Sequence, residues 1–480
     1  MENSNQVVYN RAKPWQIGFF ALNNTATNLY MFLFMFISYY ATGIAGLLVV
    51  AVSTILTAMR IFDGITDPII GYVIDKTKTK LGKFRPYMLI GNVILAITSV
   101  IIFKTTHLLP QGFRLLFFIL IYVFYIIGYT FQTATTKSAQ TVLTNDPKQR
   151  PLFTLFDAIY NTVLFIGMQM LISVVLVPKY GGFTNGLFNE LLLIVIPVSL
   201  IFTVLAISSI WDKDVEANWG TGEVEKIRFR DYWPVIKRNR PLQMLIVSAS
   251  TDKLANSVKG NATTTVIIYG ILIANYALSG KLMLITAVPT ILITMFGIQF
   301  ARRLGIRKAY VVATWLSIIL SLVLFAFMWL VDLTTISLSP INLTTVLYLV
   351  ILSLLGGVVA IGGNIVIPMI ADTSDYETYR SGQYIPGMIG TIFSFVDKLI
   401  SSLATVVVGA LVAMIGYTET LPQVGETATT SLFWIGMIFF IFVPILGWLA
   451  SLVAMKFYKL DGEEMKRIQQ DLHDRSQVNA

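Results

Sequence analysis

Long apolar segments constrain this chain more than any other feature of its sequence. A helix needs roughly 20 apolar residues to cross the hydrocarbon core of a bilayer, and runs of that length recur along almost the whole chain. We predict twelve transmembrane helices, at about residues 18–42, 45–74, 87–106, 114–143, 152–178, 188–211, 241–274, 280–301, 309–332, 343–371, 385–416 and 430–457. The expected fold class is therefore an all-α integral membrane protein.

Composition agrees with a membrane protein and argues against an enzyme. The chain is 55% hydrophobic and only 13% charged, whereas a soluble protein has about 25% charged residues. It has no cysteine, which excludes disulfides and thiol chemistry. Its two histidines, His107 and His473, lie outside the apolar segments. We therefore expect no catalytic residues, no resident metal and no cofactor.

The basic residues predict the orientation of the chain in the membrane. The net charge of +9 comes mostly from Lys and Arg in a few short connections, which is typical of topology signals and does not indicate a nucleic-acid partner. The second, fourth, sixth and eighth connections are basic, and the odd-numbered ones carry few charges. Even-numbered connections are thus expected in the cytoplasm. This predicts a multi-pass protein of the cell membrane with both termini inside.

The longest polar connection divides the predicted helices into six and six. We expect a first bundle at 1–211, a cytoplasmic linker at 212–240, a second bundle at 241–457 and a cytoplasmic tail at 458–480. The stretch LGKFRP follows helix 2 and LGIRKA follows helix 8, a short internal echo. Two related halves are typical of secondary transporters, which bind substrate between the halves near the midplane.

Three ionisable residues fall inside the second apolar segment. Ionisable groups within spanning helices are costly and mark functional sites. Arg60, Asp63 and Asp67 in RIFDGITDP lie on one face of a helix because their spacing is i, i+3, i+7. Two carboxylates one turn apart repel unless a cation or a proton neutralises them. The interpretations are a Na⁺ or H⁺ site, with Thr66 as a further oxygen ligand, or a static salt bridge with Arg60.

Other polar groups lie within the predicted spans. Helix 4 contains Lys137 in a polar stretch with Thr130, Gln132 and Thr133, and helix 5 contains Asp157. Asp252 and Lys253 either serve function or lie near a helix end. Adjacent residues point about 100° apart on a helix. Lys398 is therefore expected to find its partner on another helix, such as Asp63 or Asp67, and not in Asp397.

Several long motifs resemble one transporter family. RIFDGITDPIIGYVIDKTKTKLGKFRP, LTNDPKQR, ADTSDYETYR and YKLDGEEMKRIQQDL occur in this order. They are similar to the sequences of the glycoside–pentoside–hexuronide:cation symporters, the melibiose permease group of the major facilitator superfamily. The resemblance runs along nearly the whole chain and implies a fold of two pseudo-symmetric six-helix halves.

The resemblance also implies roles for individual residues. Asp63 and Asp67 match the family's cation site, with Thr130 as an oxygen ligand, and Thr66 stands where melibiose permease has asparagine. Lys398 matches a lysine that links cation and sugar, and we expect Arg60 and Asp397 to share in that coupling. A further group matches a cytoplasmic gate: Arg150, Asp372 and Asp375.

The expected sugar pocket differs from that of melibiose permease. Thr27 and Thr133 replace two acids, Lys137 replaces a tryptophan, and Asp157 lies beside the position of an arginine. The full set of expected sugar contacts is Asn24, Thr27, Gln132, Thr133, Lys137, Asp157 and Lys398. These changes make the pocket more positive, which is compatible with an anionic glycoside such as a hexuronide or with another neutral sugar.

The sequence therefore predicts a symporter that couples Na⁺ or H⁺ entry to uptake of a small glycoside. The alternatives are a cation-linked carrier of an amphiphile such as a lysolipid, an uncoupled sugar uniporter and, least supported, a membrane enzyme. The sugar, the coupling ion and the oligomeric state stay open.

Overall fold

The computed structural model describes residues 10–144, 146, 149–219, 229–382 and 385–478. In this part of the chain every regular element is a helix, apart from one isolated bridge between Leu338 and Ile341. The chain divides into two compact units, 1–224 with 418–421, and 225–417 with 422–480. The boundary falls within the polar connection at 212–240.

The first unit is built from long apolar helices joined by short connections. Its described α-helices are α1 (Pro14–Met35), α2 (Ile37–Gly43), α3 (Val49–Lys76), α4 (Arg85–Thr105), α5 (Gln111–Ser138), α6 (Gln140–Leu143), α7 (Arg150–Met170), α8 (Val177–Tyr180) and α9 (Asn185–Ser209). A π-helical stretch, Leu171–Leu176, joins α7 to α8. Short 3₁₀ turns occur at Thr106–Leu108 and Glu216–Asn218.

The second unit repeats this construction. Its described α-helices are α10 (Phe229–Arg238), α11 (Arg240–Lys259), α12 (Ala262–Thr265), α13 (Ala277–Leu304), α14 (Ile306–Leu330), α15 (Leu343–Ser381), α16 (Pro386–Met414), α17 (Thr430–Met437), α18 (Val443–Phe457) and α19 (Gly462–Val478). The π-helical stretch Val266–Leu272 extends α12, and Ile438–Phe442 joins α17 to α18. Leu333–Thr335 forms a 3₁₀ turn.

Ten helical segments among the described residues are long and apolar enough to cross a membrane. They confirm the all-α membrane fold and account for ten of the twelve expected spans. The first and seventh expected segments fall short for a physical reason. Asparagine and threonine side chains interrupt α1, and α11 contains Asp252, Lys253 and Lys259. The arrangement of six helices in each half stays a prediction.

Two expected helix boundaries were wrong. The segment expected at 241–274 is broken, because α11 ends at Lys259 and the side chain of Asn261 then accepts a hydrogen bond from Thr263 N to start α12. In contrast, α15 continues ten residues past its expected end at 371. Nothing interrupts it before Gly382, which adopts the left-handed conformation with φ 73°.

Close approaches between helices fix the position of α5. A Cβ atom on Gly91 of α4 would lie 3.0 Å from the carbonyl oxygen of Gly128 on α5, and a Cβ on Gly128 would lie 2.8 Å from Ile94. Small residues at such crossings let two membrane helices approach closely. This packing holds the polar stretch of α5, which contains Thr130 and Thr133, in a defined place within the first unit.

Candidate cation and sugar site

Helices α3 and α5 bring three of the predicted cation ligands together. The Thr130 hydroxyl donates to Asp63 Oδ1 at 3.2 Å, and its oxygen lies 3.1 Å from the hydroxyl oxygen of Thr66. All three side chains are buried; Asp63 is 1% exposed. The helical spacing of Asp63 and Thr66 and the packing of α5 therefore form a continuous row of three oxygen atoms, which we call the first oxygen cluster.

The hydroxyl protons in the first oxygen cluster have backbone acceptors. Thr130 can donate to the carbonyl oxygen of Ile126 at 2.9 Å, and Thr66 donates to the carbonyl oxygen of Asp63 at 3.0 Å. When both protons point at these carbonyl groups, the oxygen lone pairs of both threonines are free to face a ligand. A hard cation such as Na⁺ prefers ligands of this type.

Asp67 and Pro68 add to the oxygen-rich character of this part of α3. Asp67 is partly buried and lies one turn beyond Asp63 on the same helix. Pro68 lies inside α3 and has no N–H to donate to the carbonyl of Gly64, its usual helical acceptor. Two carboxylates, two hydroxyls and this carbonyl thus fall within about two turns of α3 and the adjacent face of α5.

Arg60 occupies the turn before Asp63. It is exposed in the first unit and interacts electrostatically with Asp63 and with three tyrosines of α5, Tyr122, Tyr125 and Tyr129. Arg60 therefore adds positive charge close to one carboxylate of the pair. The predicted role of Arg60 in coupling stays a prediction.

A second polar row joins α1 to α7. Asn24 Nδ2 donates to Asp157 Oδ1 at 2.7 Å, and one turn further Asn28 Nδ2 donates to Asn161 Oδ1 at 2.6 Å. Asn24, Asn28 and Asp157 are only partly buried, so this row retains access to a ligand. Asn161 was missed in the sequence, although its spacing of four residues from Asp157 places it on the same helix face.

The remaining predicted sugar contacts of the first unit differ in exposure. Thr27 and Gln132 are fully buried and bond to backbone carbonyls, Thr27 to Asn23 at 3.0 Å and Gln132 to Met88 at 2.6 Å. Thr133 is partly buried and Lys137 is exposed. Thr27 and Gln132 are thus buried in hydrogen bonds between or within helices. Among these four residues, Thr133 and Lys137 are the ones with exposed surface.

The second unit holds the predicted coupling residues Asp397 and Lys398. Asp397 is buried and forms an ion pair with Lys253 of α11. Lys398 is partly buried. The ion pair of Lys253 and Asp397 therefore joins α11 to α16. The sequence did not reveal this pairing.

The predicted gate residues lie near helix ends. Asp372 and Asp375 are both on α15, and Asp375 Oδ2 accepts a hydrogen bond from Gln469 of α19 at 2.7 Å. This contact ties the tail helix to α15. Arg150 is the first residue of α7, and its side chain lies outside the described part of the structure. The gate itself stays a prediction.

Comparison with known proteins identifies the family of this chain. A family model described as MFS/sugar transport protein matches residues 19–462. The uncharacterized symporter YnaJ of Bacillus subtilis (strain 168) is 25% identical over 473 residues, which cover 96% of this chain and 94% of that protein.

Two further relatives have names that describe a cargo. The putative glycoside/cation symporter YagG of Escherichia coli (strain K12) is 23% identical, with 94% of this chain and 93% of that protein covered. The isoprimeverose transporter of Lactiplantibacillus pentosus is 24% identical, with 99% and 95% covered.

Solved structures agree on the fold. The crystal structure of a mutant of the nucleoside transporter NupG superimposes with a TM-score of 0.64 at 15% identity, covering 92% of this chain and 99% of that one. At this identity the likeness speaks for the fold alone. The chain is thus a multi-pass membrane transporter protein that belongs to the MFS/sugar transport protein family, within the glycoside–pentoside–hexuronide:cation symporter group of the major facilitator superfamily.

Proposed function

We propose that this protein is a cation-coupled symporter that imports a small glycoside by alternating access. The observation that carries the proposal is the first oxygen cluster, in which buried oxygen atoms of Asp63, Thr66 and Thr130 lie side by side. Oxygen atoms grouped in this way are the ligands that a hard cation such as Na⁺ prefers. We infer that a monovalent cation enters with the substrate and binds there.

Coupling follows from the mutual dependence of the two ligands. If the cation raises the affinity for the sugar, the sugar must raise the affinity for the cation by the same factor. The polar row of Asn24 and Asp157 offers hydrogen-bond partners for sugar hydroxyls within the same unit as the cluster. The names of two relatives support this proposal: symporter agrees with coupled transport, and isoprimeverose transporter agrees with a sugar as cargo.

Lys137 bears on the charge of the substrate. It is exposed, and no acid pairs with it among the contacts of the described residues. As one of the expected sugar contacts, Lys137 would favour a glycoside that carries a carboxylate. We therefore include hexuronides with neutral sugars in the proposed range of substrates, and place the protein in the cell membrane with both termini in the cytoplasm.

The experiment that tests the proposal is uptake by purified protein in lipid vesicles. A panel of neutral and uronic glycosides is offered with an inward Na⁺ gradient, with an inward proton gradient and with neither. We expect the wild type to accumulate a glycoside under one gradient only. Equal uptake in all three conditions would indicate a uniporter, and inhibition by lysolipids without any glycoside uptake would indicate an amphiphile carrier.

Replacement of Asp63 tests the site itself. Asp63→Asn keeps the shape of the side chain but removes the charge that the cation neutralises. We expect this variant to equilibrate the sugar across the membrane without accumulating it. The control is Asp332→Asn, the same change in an exposed loop where Asp332 bonds only to Thr334 and Thr335. Full accumulation by Asp63→Asn would reject the cation site.

A further inference from the structure

A second cluster of oxygen atoms lies inside the second unit. The Tyr310 hydroxyl donates to Asp252 Oδ2 at 2.5 Å, and it lies 2.8 Å from both Ser248 Oγ and Ser451 Oγ. The two serine hydroxyls are also hydrogen-bonded to each other. Tyr310, Ser248 and Ser451 are fully buried. We call these four side chains the second oxygen cluster.

Three helices assemble the second oxygen cluster. Ser248 and Asp252 are one turn apart on α11, Tyr310 is on α14, and Ser451 is on α18. Gly447, one turn before Ser451, permits the contact of α18 with α11: a Cβ at this position would lie 2.8 Å from the carbonyl oxygen of Thr251. The cluster is thus a product of tight packing within the unit.

The charge of Asp252 has no positive partner in this packing. Its second oxygen, Oδ1, is buried and accepts no hydrogen bond in the described structure. Lys253, the next residue, is paired with Asp397 of α16, beside Lys398. On α14, Arg307 lies one turn before Tyr310 and donates to the backbone carbonyl of Met455, and the residues of α15 and α18 that line the adjoining cavity are not titratable. An ionised carboxylate without a counter-charge is unfavourable here.

The number of protons in the cluster points in the same direction. Four hydrogen bonds join the four side chains, but the three hydroxyl groups carry only three protons. A proton on Asp252 completes the set. Asp252 then donates to Tyr310, and Tyr310, Ser248 and Ser451 donate in turn around their ring. The Oδ1 atom becomes the carbonyl oxygen of a neutral acid, which costs less to leave without a donor.

We propose that Asp252 is a proton-binding site, in which Tyr310, Ser248 and Ser451 hold the proton, and that it is separate from the cation site at Asp63. The two sites belong to different units of the chain. The protein would therefore bind a proton in addition to the cation that the first oxygen cluster takes.

A cavity gives the proton a route to this site. Asp252 lines a space of about 330 Å³ within the second unit, together with the polar side chains of Asn256, Thr314 and Ser317. A water molecule needs only about 10–15 Å³ of such space and a few polar partners. Water in this cavity can exchange a proton with Asp252.

Infrared spectroscopy tests the proposal directly. A protonated carboxyl group has a C=O stretching band that is separate from the bands of carboxylates and amides, and that moves when H₂O is replaced by D₂O. We expect the difference spectrum between the wild type and Asp252→Asn, both full-length in lipid at neutral pH, to show this band. Asparagine resembles the neutral acid in size, and its amide group can still donate to Tyr310, so the variant should fold.

Two further variants make the outcome decisive. Asp332→Asn, in the exposed loop, should leave the band unchanged. Tyr310→Phe keeps Asp252 but removes its hydrogen-bond partner, so the band should persist at a shifted frequency. A spectrum in which Asp252→Asn loses no such band, or in which Tyr310→Phe leaves it unmoved, would overturn the proposal. The measurement needs neither sugar nor Na⁺, so failure of the proposed transport function would not affect it.

Discussion

The two oxygen clusters place similar groups in different arrangements. The first unit surrounds Asp63 with Thr130 and Thr66, whose protons have backbone carbonyls as acceptors. The second unit surrounds Asp252 with Tyr310, Ser248 and Ser451, whose hydroxyl groups bond to one another and to the carboxyl group. The hydroxyl protons of the first cluster thus have acceptors outside it, whereas the four hydrogen bonds of the second join its own members.

This difference is the basis of the two proposals. A metal cation needs several oxygen lone pairs, and we propose that the first oxygen cluster supplies them. A proton needs one acceptor and hydroxyl groups that can reorient, and we propose that the second oxygen cluster supplies these. Burial of a carboxylate alone therefore does not distinguish the two ions; the acceptors available to the neighbouring hydroxyl groups do.

Removal of the Thr130 hydroxyl from the first oxygen cluster should have the largest effect among the variants that test this comparison. Thr130→Val keeps the shape of the side chain but has no oxygen atom. A hydrogen bond to a charged group contributes about 1.5–3 kcal/mol. We therefore expect the cation concentration that gives half-maximal uptake to rise about 10–100-fold. Uptake at varied Na⁺ and pH measures this.

The matched control for Thr130→Val is Thr162→Val on α7. The Thr162 side chain is exposed and its hydroxyl donates to the carbonyl of Ala158 in the same helix. It should leave the cation dependence unchanged, and neither variant should alter the infrared band of Asp252. An unchanged cation dependence in Thr130→Val would remove the distinction between the two clusters.

Part of the first oxygen cluster could be predicted from helical spacing, and the second could not. Asp63 and Asp67 are four residues apart in an apolar helix, so their charges are conspicuous and their common face follows from helical geometry. Thr130 was expected as a ligand only from the family resemblance. Tyr310 is 58 residues from Asp252, and Ser451 a further 141. Serine and tyrosine are ordinary in membrane helices, and only packing brings these residues together.

Packing also decides a contact that the sequence left open. Asp397 and Lys398 were not expected to pair with each other, and Asp397 pairs with Lys253, 144 residues away along the chain, a partner that the sequence did not reveal. The helix α15 was expected to end at residue 371. Its polar residues continue the helix to Ser381, and Gly382, in the left-handed conformation, follows its end.

Separation of α18 from α11 tests whether packing makes the second oxygen cluster. In Gly447→Ala the new methyl group would lie 2.7 Å from the Cβ of Ala255. Such overpacking typically costs about 1–3 kcal/mol, and the displaced Ser451 should weaken the ring of hydroxyls. We expect a lower free energy of unfolding and a shifted infrared band of Asp252, with little change in the cation dependence of uptake.

Gly390→Ala on α16 is the control for this change. Apart from the neighbouring backbone of its own helix, the described residues have no atom within 4 Å of the added methyl group, and alanine is the better helix residue by about 0.5–1 kcal/mol. Its free energy of unfolding should be unchanged or higher. If Gly447→Ala left both the stability and the infrared band intact, the close contact between α11 and α18 would not be what forms the cluster.

The smallest effect is expected at Thr66. Thr66→Asn replaces a hydroxyl oxygen beside Thr130 by an amide oxygen, which also presents lone pairs. The cation dependence should change by less than about fivefold, because the loss of one neutral hydrogen bond is worth about 1 kcal/mol at most when a substitute is present. Thr66→Val, which offers no oxygen, should instead approach the loss expected for Thr130→Val.

Uptake driven by Na⁺ and by a proton gradient, measured for both Thr66 variants, distinguishes a ligand role from a packing role. Equal behaviour of Asn and Val at this position would mean that Thr66 supplies packing and no ligand, and the first oxygen cluster would then rest on Asp63 and Thr130.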